Sequence, residues 1–457
     1  MPPVHELIPG SASADEWTGS RNPLHPSEAS AYLASVLLLQ LAYVFGAVTY
    51  PNDNIGIHQL RHLGLPGAII LLGIVWVIAF GVSALHSRIP WTPPRSIRSP
   101  WAMALALVVA CAFGWMFLSL SNHFINRDGL ALFDKIVNDV AAHGAHVTHD
   151  EMLELYVHSR LYDYANHSWG WSVGRTYQVA SALSGAAFVL VLLFLAPSMA
   201  PRSRIAFVGL VLSCGFIQLF FGDVENYTMV TVMILLFIAM AHLFLEGRIP
   251  LWTPAGALSL ALGFHLLCGW LLPALAYLFV FSWRHGRRRD TAIGLAALVL
   301  PISALFVFFH FHGLPIERLW ESSHVGGLGG NYARELAPMN VAYHLGMLNV
   351  LLLLWPSIVM LPALIYFNRL GADPMSRFLE LAALSMVVFT FTWKAQLGIF
   401  EDWNLYAPGM VPGAILVARS LSGLPRAPVK SAIITALILT ASLHTFAWVV
   451  SNHLGRP

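Results

Sequence analysis

"FFGDVENYTMV", residues 220–230, joins two apolar runs, 205–221 and 228–245, that both read as membrane spans. Asp223 and Glu225 stand two residues apart in this tip. Ionisable groups near membrane depth are costly, and their default meaning is function. Two readings fit the pair. The acids cap a polar turn between helices, or they face a cavity between spans and hold a substrate. Phe221 and Tyr227 serve as interfacial anchors on either reading. Asn226, Tyr227 and Thr228 spell an N-glycan acceptor, but a tip this close to the bilayer is a poor one.

Working outward, the composition supports the membrane reading. The 457 residues are 57% hydrophobic and 11% charged, whereas a soluble domain carries about 25% charged residues. Spans are expected at 31–50, 66–84, 101–120, 175–196, 205–221, 228–245, 253–266, 268–283, 291–310, 345–367, 378–394, 406–420 and 431–450. The run 253–283 is divided in two because Gly263 and Gly269 loosen its middle. The expected fold is therefore all-α, a polytopic transmembrane helical bundle of about thirteen spans. A polar tail, 1–28, precedes a single transmembrane domain, 29–457. The tail lacks the early apolar stretch of a secretory signal. Cys111, Cys214 and Cys268 fall in apolar runs and read as small core residues.

The thirteen-span count puts Arg88, Arg95, Arg98, Arg202, Arg204, Arg284, Arg287, Arg288, Arg289, Arg369, Arg377, Arg419, Arg426 and Lys430 on one face. By the positive-inside rule that face is cytoplasmic, with the N-terminus inside and the C-terminus outside. The opposite face carries the long loops 121–174 and 311–344 and the short tips at 221–227, 265–268 and 395–405. No internal repeat, phosphate-cradling Gly-rich loop, Rossmann fingerprint or C-x-x-C pair is present. No nucleic-acid partner is expected.

Loop 121–174 reads as two helices lying on the membrane. In the first, Leu130, Leu132, Phe133, Ile136, Val137 and Val140 recur at helical spacing opposite Asp134, Lys135 and Asp139. The second starts near "THDEMLELYVHSRLYDYA", where Thr148 and Glu151 fit a capping box. Its apolar stripe is Met152, Leu155, Tyr156 and Leu161. Asp128 stands just before the first flat helix and suits an N-cap or a substrate-facing carboxylate. His143, His146 and His149 are spaced by three, but the intervening Gly144 does not hold them on one helical face. A single histidine such as His265 is more often a satisfied core residue. In loop 311–344, Gly326, Gly327, Gly329 and Gly330 surround Arg334, whose fork of donors suits a phosphate. The last tip, "KAQLGIFEDWNLYAPG", gathers Lys394, Glu401, Asp402, Trp403, Asn404 and Tyr406. Acids, an amide and rings in one short turn suit a sugar- or phosphate-binding lip. The lysine alone suits snorkelling.

This layout resembles the GT-C glycosyltransferases, polytopic enzymes that use lipid-linked sugar donors. The resemblance spans roughly residues 120–410 and is one of arrangement. Asp128 follows an early span at the start of a loop of two flat helices. "FGDVENY" is the short acidic tip, and His265 to Pro273 gives the "H…LLP" helix. "GIFEDWNLY", Gly398 to Tyr406, is the outer turn before a late span. The first two spans are an addition to the usual arrangement. The resemblance implies a multi-pass protein of a bacterial inner (plasma) membrane acting on the cell envelope. It implies transfer from a polyprenyl-phosphate sugar to a glycan, lipid or protein acceptor at the outer, periplasmic face. Asp128 would be the general base, and Asp223, Glu225, His265, Arg334, Lys394, Asp402 and Trp403 would bind substrate. Arg334, Lys394 or Arg175 would balance the leaving phosphate. No cofactor is fixed, and whether a divalent cation (Mg or Mn) takes part stays open. The rival readings are a multi-pass transporter, which would place charges in mid-span, and a membrane O-acyltransferase or polysaccharide polymerase. An acyltransferase would recruit His265 or His310 as base.

Overall fold

The computed structural model describes residues 24–49, 56–88, 99–123, 125, 127–141, 150–200, 203–313, 340–394, 397–425 and 427–455. Every helix or strand element assigned among them is helical. The chain opens with α1 (Pro26–Val48), α2 (Gly64–Arg88) and α3 (Pro100–Ser119). Two helices of the first long loop follow, α4 (Arg127–Ala141) and α5 (Met152–Trp169). Then come α6 (Val173–Met199), α7 (Arg204–Leu212), α8 (Thr228–Leu245), α9 (Trp252–Phe264), α10 (Leu272–Arg284) and α11 (Arg288–Phe311). The last third holds α12 (Val341–Leu354), α13 (Leu361–Tyr366), α14 (Pro374–Thr392), α15 (Trp403–Tyr406), α16 (Met410–Gly423) and α17 (Pro428–His453).

Several helices start where the sequence supplies a cap. Ser99 accepts from Ala102 N and is followed by Pro100 in the first turn of α3. Ser172 caps α6, and Asp373, followed by Pro374, caps α14. Once started, the apolar runs continue because a helix satisfies all its backbone groups internally, the one solution open within lipid. Their outward faces stay apolar: Val77 is 73% exposed and Trp101 85%. Such surface on long helices is the mark of a lipid-facing bundle. The interior is filled by rings from several helices. Phe188 of α6, Phe207 of α7, Phe237 of α8 and Trp355 are all fully buried.

Nine helices among the described residues are long and apolar enough to cross a membrane, or ten if α12 and α13, bent by 105° across Trp355, count as one span. All thirteen expected stretches are helical, but α7, α9 and α16 have only 9, 13 and 14 residues and fall short of spanning length. The reason is local. Each adjoins a tight 3-10 turn, at Gly215–Phe220, Leu266–Leu271 or Ala407–Gly409, so a continuous apolar run becomes a helix plus a turn. A 3-10 turn rises about 2.0 Å per residue against about 1.5 Å for an α-helix. The expected break within 253–283 falls at His265, which is extended (φ −157°, ψ 131°) between α9 and its turn.

Contacts sort the element ends into two groups. At the basic end, Arg369 makes a two-pronged pair with Glu28 at 2.8 Å, Arg419 reaches Asp373 at 3.0 Å, and Asp290 accepts from Leu251 N. At the other end, Asn122 N donates to Phe221 O and His123 N to Asn452 O. The start of α1 belongs to the first group and the end of α17 to the second. A small buried cluster forms at this second end. It joins Leu132 and Ile136 of α4, Met152 and Leu155 of α5, Val173 and Tyr177 of α6, Val224 of the 221–227 tip and Phe309 of α11. The two loop helices are thus seated on the tip. Of the expected stripe of α4, Leu132 and Ile136 face this cluster, while Leu130 and Val137 stay exposed.

The turn that carries the tip depends on one close approach. A Cβ on Gly215 would overlap the carbonyl of Leu353 at the end of α12. Two backbones cannot yield as a flexible side chain would. Gly215→Ala is therefore expected to lower the melting temperature in detergent by several degrees, a cost of about 1–3 kcal/mol. An unchanged melting curve would show that the turn has slack.

Candidate functional site

The tip begins with Gly222 in the left-handed region (φ +72°), a conformation glycine adopts without strain. There is also no room for a side chain, since a Cβ would come within 2.9 Å of Ser121 Oγ. The sharp turn brings Asp223 inside, where it is only 6% exposed. Asn122, just past α3, donates through Nδ2 to Asp223 Oδ1 at 3.2 Å. Ser181 of α6 donates to the Asp223 carbonyl at 2.8 Å. The Asn404 side-chain amide, from the late turn, stands close enough to the Asp223 carboxyl to favour its charge without closing a full hydrogen bond. Burial pushes that carboxyl up to about 7, and the two amides act in the opposite direction.

A second group of acids meets the tip from the first loop. Glu151 occupies the N-cap position of α5 but makes no capping bond. The capping box expected from Thr148 is not completed: Glu151 lies before the helix, and Thr148 lies outside the described residues. Its carboxyl instead bonds Asn226 of the tip and approaches His265 Nε2 at 3.7 Å. Burial, with Asp150 next to it, raises Glu151 to about 7, while Lys135 and Asn226 pull it back. Glu154, one turn on, is fully buried against His158, with Nδ1 to Oε1 at 3.0 Å. Burial raises this carboxyl too, opposed by the imidazole. His158 stacks flat on Tyr177, ring centres 4.0 Å apart. Tyr177 in turn lies within electrostatic reach of Glu151, Glu154 and Glu225.

His265 closes this group. Its Nδ1 accepts from Leu267 N at 3.0 Å, which leaves the proton on Nε2, the nitrogen facing Glu151. Tyr227 stacks beside its ring, and Leu266 N donates to the Asp150 carbonyl. The break between α9 and α10 thus docks onto the first loop and the tip together.

Of the residues singled out in the sequence, the structure brings Asp223, Glu225 and His265 to one end of the bundle. Glu151, Glu154, His158, Tyr177, Asn122 and Asn404 join them. Asp402 accepts from Leu397 N at 2.8 Å and so holds its own turn. Trp403 packs edge-on against Trp448, ring centres 4.7 Å apart. These two shape the late turn, and the next residue, Asn404, carries it onto Asp223. Lys394 is exposed at the end of α14. Arg334, His143, His146 and His149 lie outside the described residues. Asp128 is the second residue of α4, inside the helix, not at its cap. Its backbone is described and its side chain is not. Among the described residues no group of three or more His, Cys, Asp or Glu is arranged to hold a metal ion.

The interior of the tip is polar and under-satisfied. Asp223 Oδ2, both polar atoms of Gln218, Asn226 Oδ1, Thr228 Oγ1 and Asn404 Nδ2 are buried without a hydrogen-bond partner among the described residues. Buried polar groups are normally paired, and exceptions mark water or ligand positions. Donors and acceptors in this mixture match a polyhydroxylated molecule. Carboxyls held near 7 can exchange protons at neutral pH.

Neither a protein-family model nor a curated protein matches the chain in sequence. Among solved structures, ArnT from Cupriavidus metallidurans, crystallised bound to undecaprenyl phosphate, is similar with a TM-score of 0.56. The likeness covers 78% of this chain and 78% of that chain at 12% sequence identity. At that identity it is a likeness of fold, and the fold is the GT-C arrangement.

Proposed function

We propose that this GT-C bundle is a membrane glycosyltransferase that moves a sugar from a polyprenyl-phosphate donor to an acceptor at the outer membrane face. The observation that carries the reading is the set of buried carboxyls and unpaired polar groups around Asp223, at the end of the bundle opposite the basic loops. The basic loops take the cytoplasmic side by the positive-inside rule, so the acids face outward. The fold supports the donor class, since the similar protein was crystallised with undecaprenyl phosphate.

In this reading Asp128 is the general base. The backbone of α4 is anchored one and two turns later by Leu132 and Ile136, which are buried with Val224 of the tip. Position 128 is therefore tied to the same turn as Asp223. A carboxylate within hydrogen-bond reach takes the proton of the acceptor hydroxyl as its oxygen bonds the anomeric carbon. The polyprenyl phosphate leaves on the opposite side with the bonding electrons. It is already a stable anion and needs no acid to protonate it. A single displacement inverts the anomeric centre. Asp223, Glu225 and His265 hold sugar hydroxyls, and Lys394, Arg334 or Arg175 offset the phosphate charge. A specific observation favours a second assignment of the base: Asp223, at about 7, is matched to proton transfer near neutrality.

The test is transfer itself. Purified protein in detergent is incubated with radiolabelled polyprenyl-phosphate sugars and candidate hydroxyl acceptors. Release of lipid phosphate with label on the acceptor is the expected result. Failure to bind any lipid-linked donor would favour the transporter or acyltransferase readings instead.

A further inference from the structure

At the basic end of the bundle, residues 284–289 join α10 to α11, and four of these six residues are arginines. Arg284, Arg288 and Arg289 are exposed, and Arg287 is half-buried. None of the four side chains makes a hydrogen bond or ion pair among the described residues. Other cations at this end are engaged. Arg248 pairs with Glu246, Arg369 with Glu28, Arg377 with Glu380 and Arg419 with Asp373. Lys430 donates to the carbonyls of Ser422 and Leu424. Those four carboxylates are thereby taken up as well. Asp290, the next acid in the chain, accepts from Leu251 N through both oxygens, at 3.0 and 3.1 Å.

The crowding is unfavourable on its own. Arg287 is the N-cap of α11, and Arg288 and Arg289 open its first turn. The helix dipole disfavours cations there, and the like charges repel one another. Setting the orientation of the chain calls for positive charge near a span end, but not for its placement at a helix start. The patch also lies at the level of lipid headgroups. Trp283, near the end of α10, is 56% exposed, and Trp252, at the start of α9, is 49% exposed. Such rings mark the membrane–water boundary. Arg288 lies over the Trp283 ring at 5.2 Å, and Arg287 over Phe244 at 5.9 Å. A guanidinium resting on a ring face keeps its edge N–H groups for a phosphate. Val280 and Ile293, further along the two helices, present exposed apolar surface to lipid.

We infer that this patch binds the phosphate headgroups of anionic phospholipids. The lipid supplies the negative charge that the chain itself withholds from residues 284–289. Clustered arginines beside a span end attract anionic headgroups in this way. The apolar surface at Val280 and Ile293 selects a lipid over a free anion, because acyl chains can cover it while the headgroup meets the arginines. The inference is independent of the glycosyltransferase reading, since it concerns the end of the bundle opposite Asp223.

The test follows the melting temperature of the full chain in a neutral detergent as dioleoyl phosphatidylglycerol or dioleoyl phosphatidylcholine is titrated in. Phosphatidylglycerol should raise it by several degrees, phosphatidylcholine should not, and high salt should weaken the gain. Arg284→Gln, Arg287→Gln, Arg288→Gln and Arg289→Gln together should weaken phosphatidylglycerol at least about tenfold. Should that variant not fold, Arg288→Gln with Arg289→Gln should still weaken it about threefold or more. Arg248→Gln with Arg377→Gln removes two cations of the same end that already have carboxylate partners. Its affinity should stay within about twofold of wild type. An equal gain in the wild type and the arginine-depleted variants would overturn the assignment. So would an equal gain from phosphatidylcholine, or a loss in the control as large as in the depleted variants. Inorganic phosphate matching phosphatidylglycerol at equal concentration would also overturn it, marking a free-anion site.

Discussion

Asp128→Asn is expected to lower sugar transfer by about a thousandfold, within the range that a general base supplies. Melting temperature should stay within a degree or so of wild type, as for an isosteric substitution in the first turn of a helix. The amide keeps the size of the carboxylate and loses only its ability to take a proton. The buried contact of α4 with the tip is carried by Leu132 and Ile136. The loss should therefore appear in the chemical step. Single-turnover release of lipid phosphate falls, and donor binding is retained. Full-rate transfer by Asp128→Asn would remove the base from this position and pass the role to Asp223.

Hydropathy and the positions of charge were enough to find the helical stretches, because a span must be apolar for its whole depth. The same logic placed the acids in short tips away from the basic loops. It also placed two amphipathic helices in the first loop, where α4 and α5 are found. What it missed has physical causes. A hydropathy window cannot see where an apolar run turns from α to 3-10, so α7, α9 and α16 are shorter than their apolar segments. Amphipathic spacing assigned Met152, Leu155, Tyr156 and Leu161 to the buried face of α5, where Leu161 is in fact exposed, and left Glu154 and His158 unassigned. Both are fully buried, as an i, i+4 pair with Nδ1 and Oε1 3.0 Å apart. That spacing was visible in the sequence and is the signal that would have found them. Asn122 had no local signal, since its partner lies 101 residues away. Asp402 and Trp403 stood out by type; Asp402 accepts from Leu397 N of its own turn and Trp403 packs on Trp448 of α17, while the less conspicuous Asn404 meets Asp223.

The buried acids also separate a structural role from a chemical one, and Asp223→Asn is the substitution that does so. The Asp223 carboxyl sits at about 7 in the folded protein against an ordinary value of 3.8. Between these pH values the folded state holds a proton that the unfolded state has released. Stability from this group is thus complete below about 4 and is lost as pH rises through about 7. Glu151, also at about 7, acts in the same direction. An amide in place of the Asp223 carboxyl cannot ionise, so this variant should match wild type near pH 4 and exceed it in melting temperature at pH 8. Transfer should move the other way. The ionised carboxylate accepts hydrogen bonds from sugar hydroxyls, and such charged bonds contribute about 1.5–3 kcal/mol. The rate should then fall by roughly 10- to 100-fold at pH 8, and the rise in wild-type rate through pH 7 should flatten. Both quantities are read from one preparation, by melting curves and transfer rates from pH 4 to 8. A variant less stable than wild type at pH 8 would mean that the carboxylate is a turn cap, the plain alternative for two acids at a hairpin tip. A variant more stable but slower would mean that the chain bears the cost of burying Asp223 for the sake of its substrate.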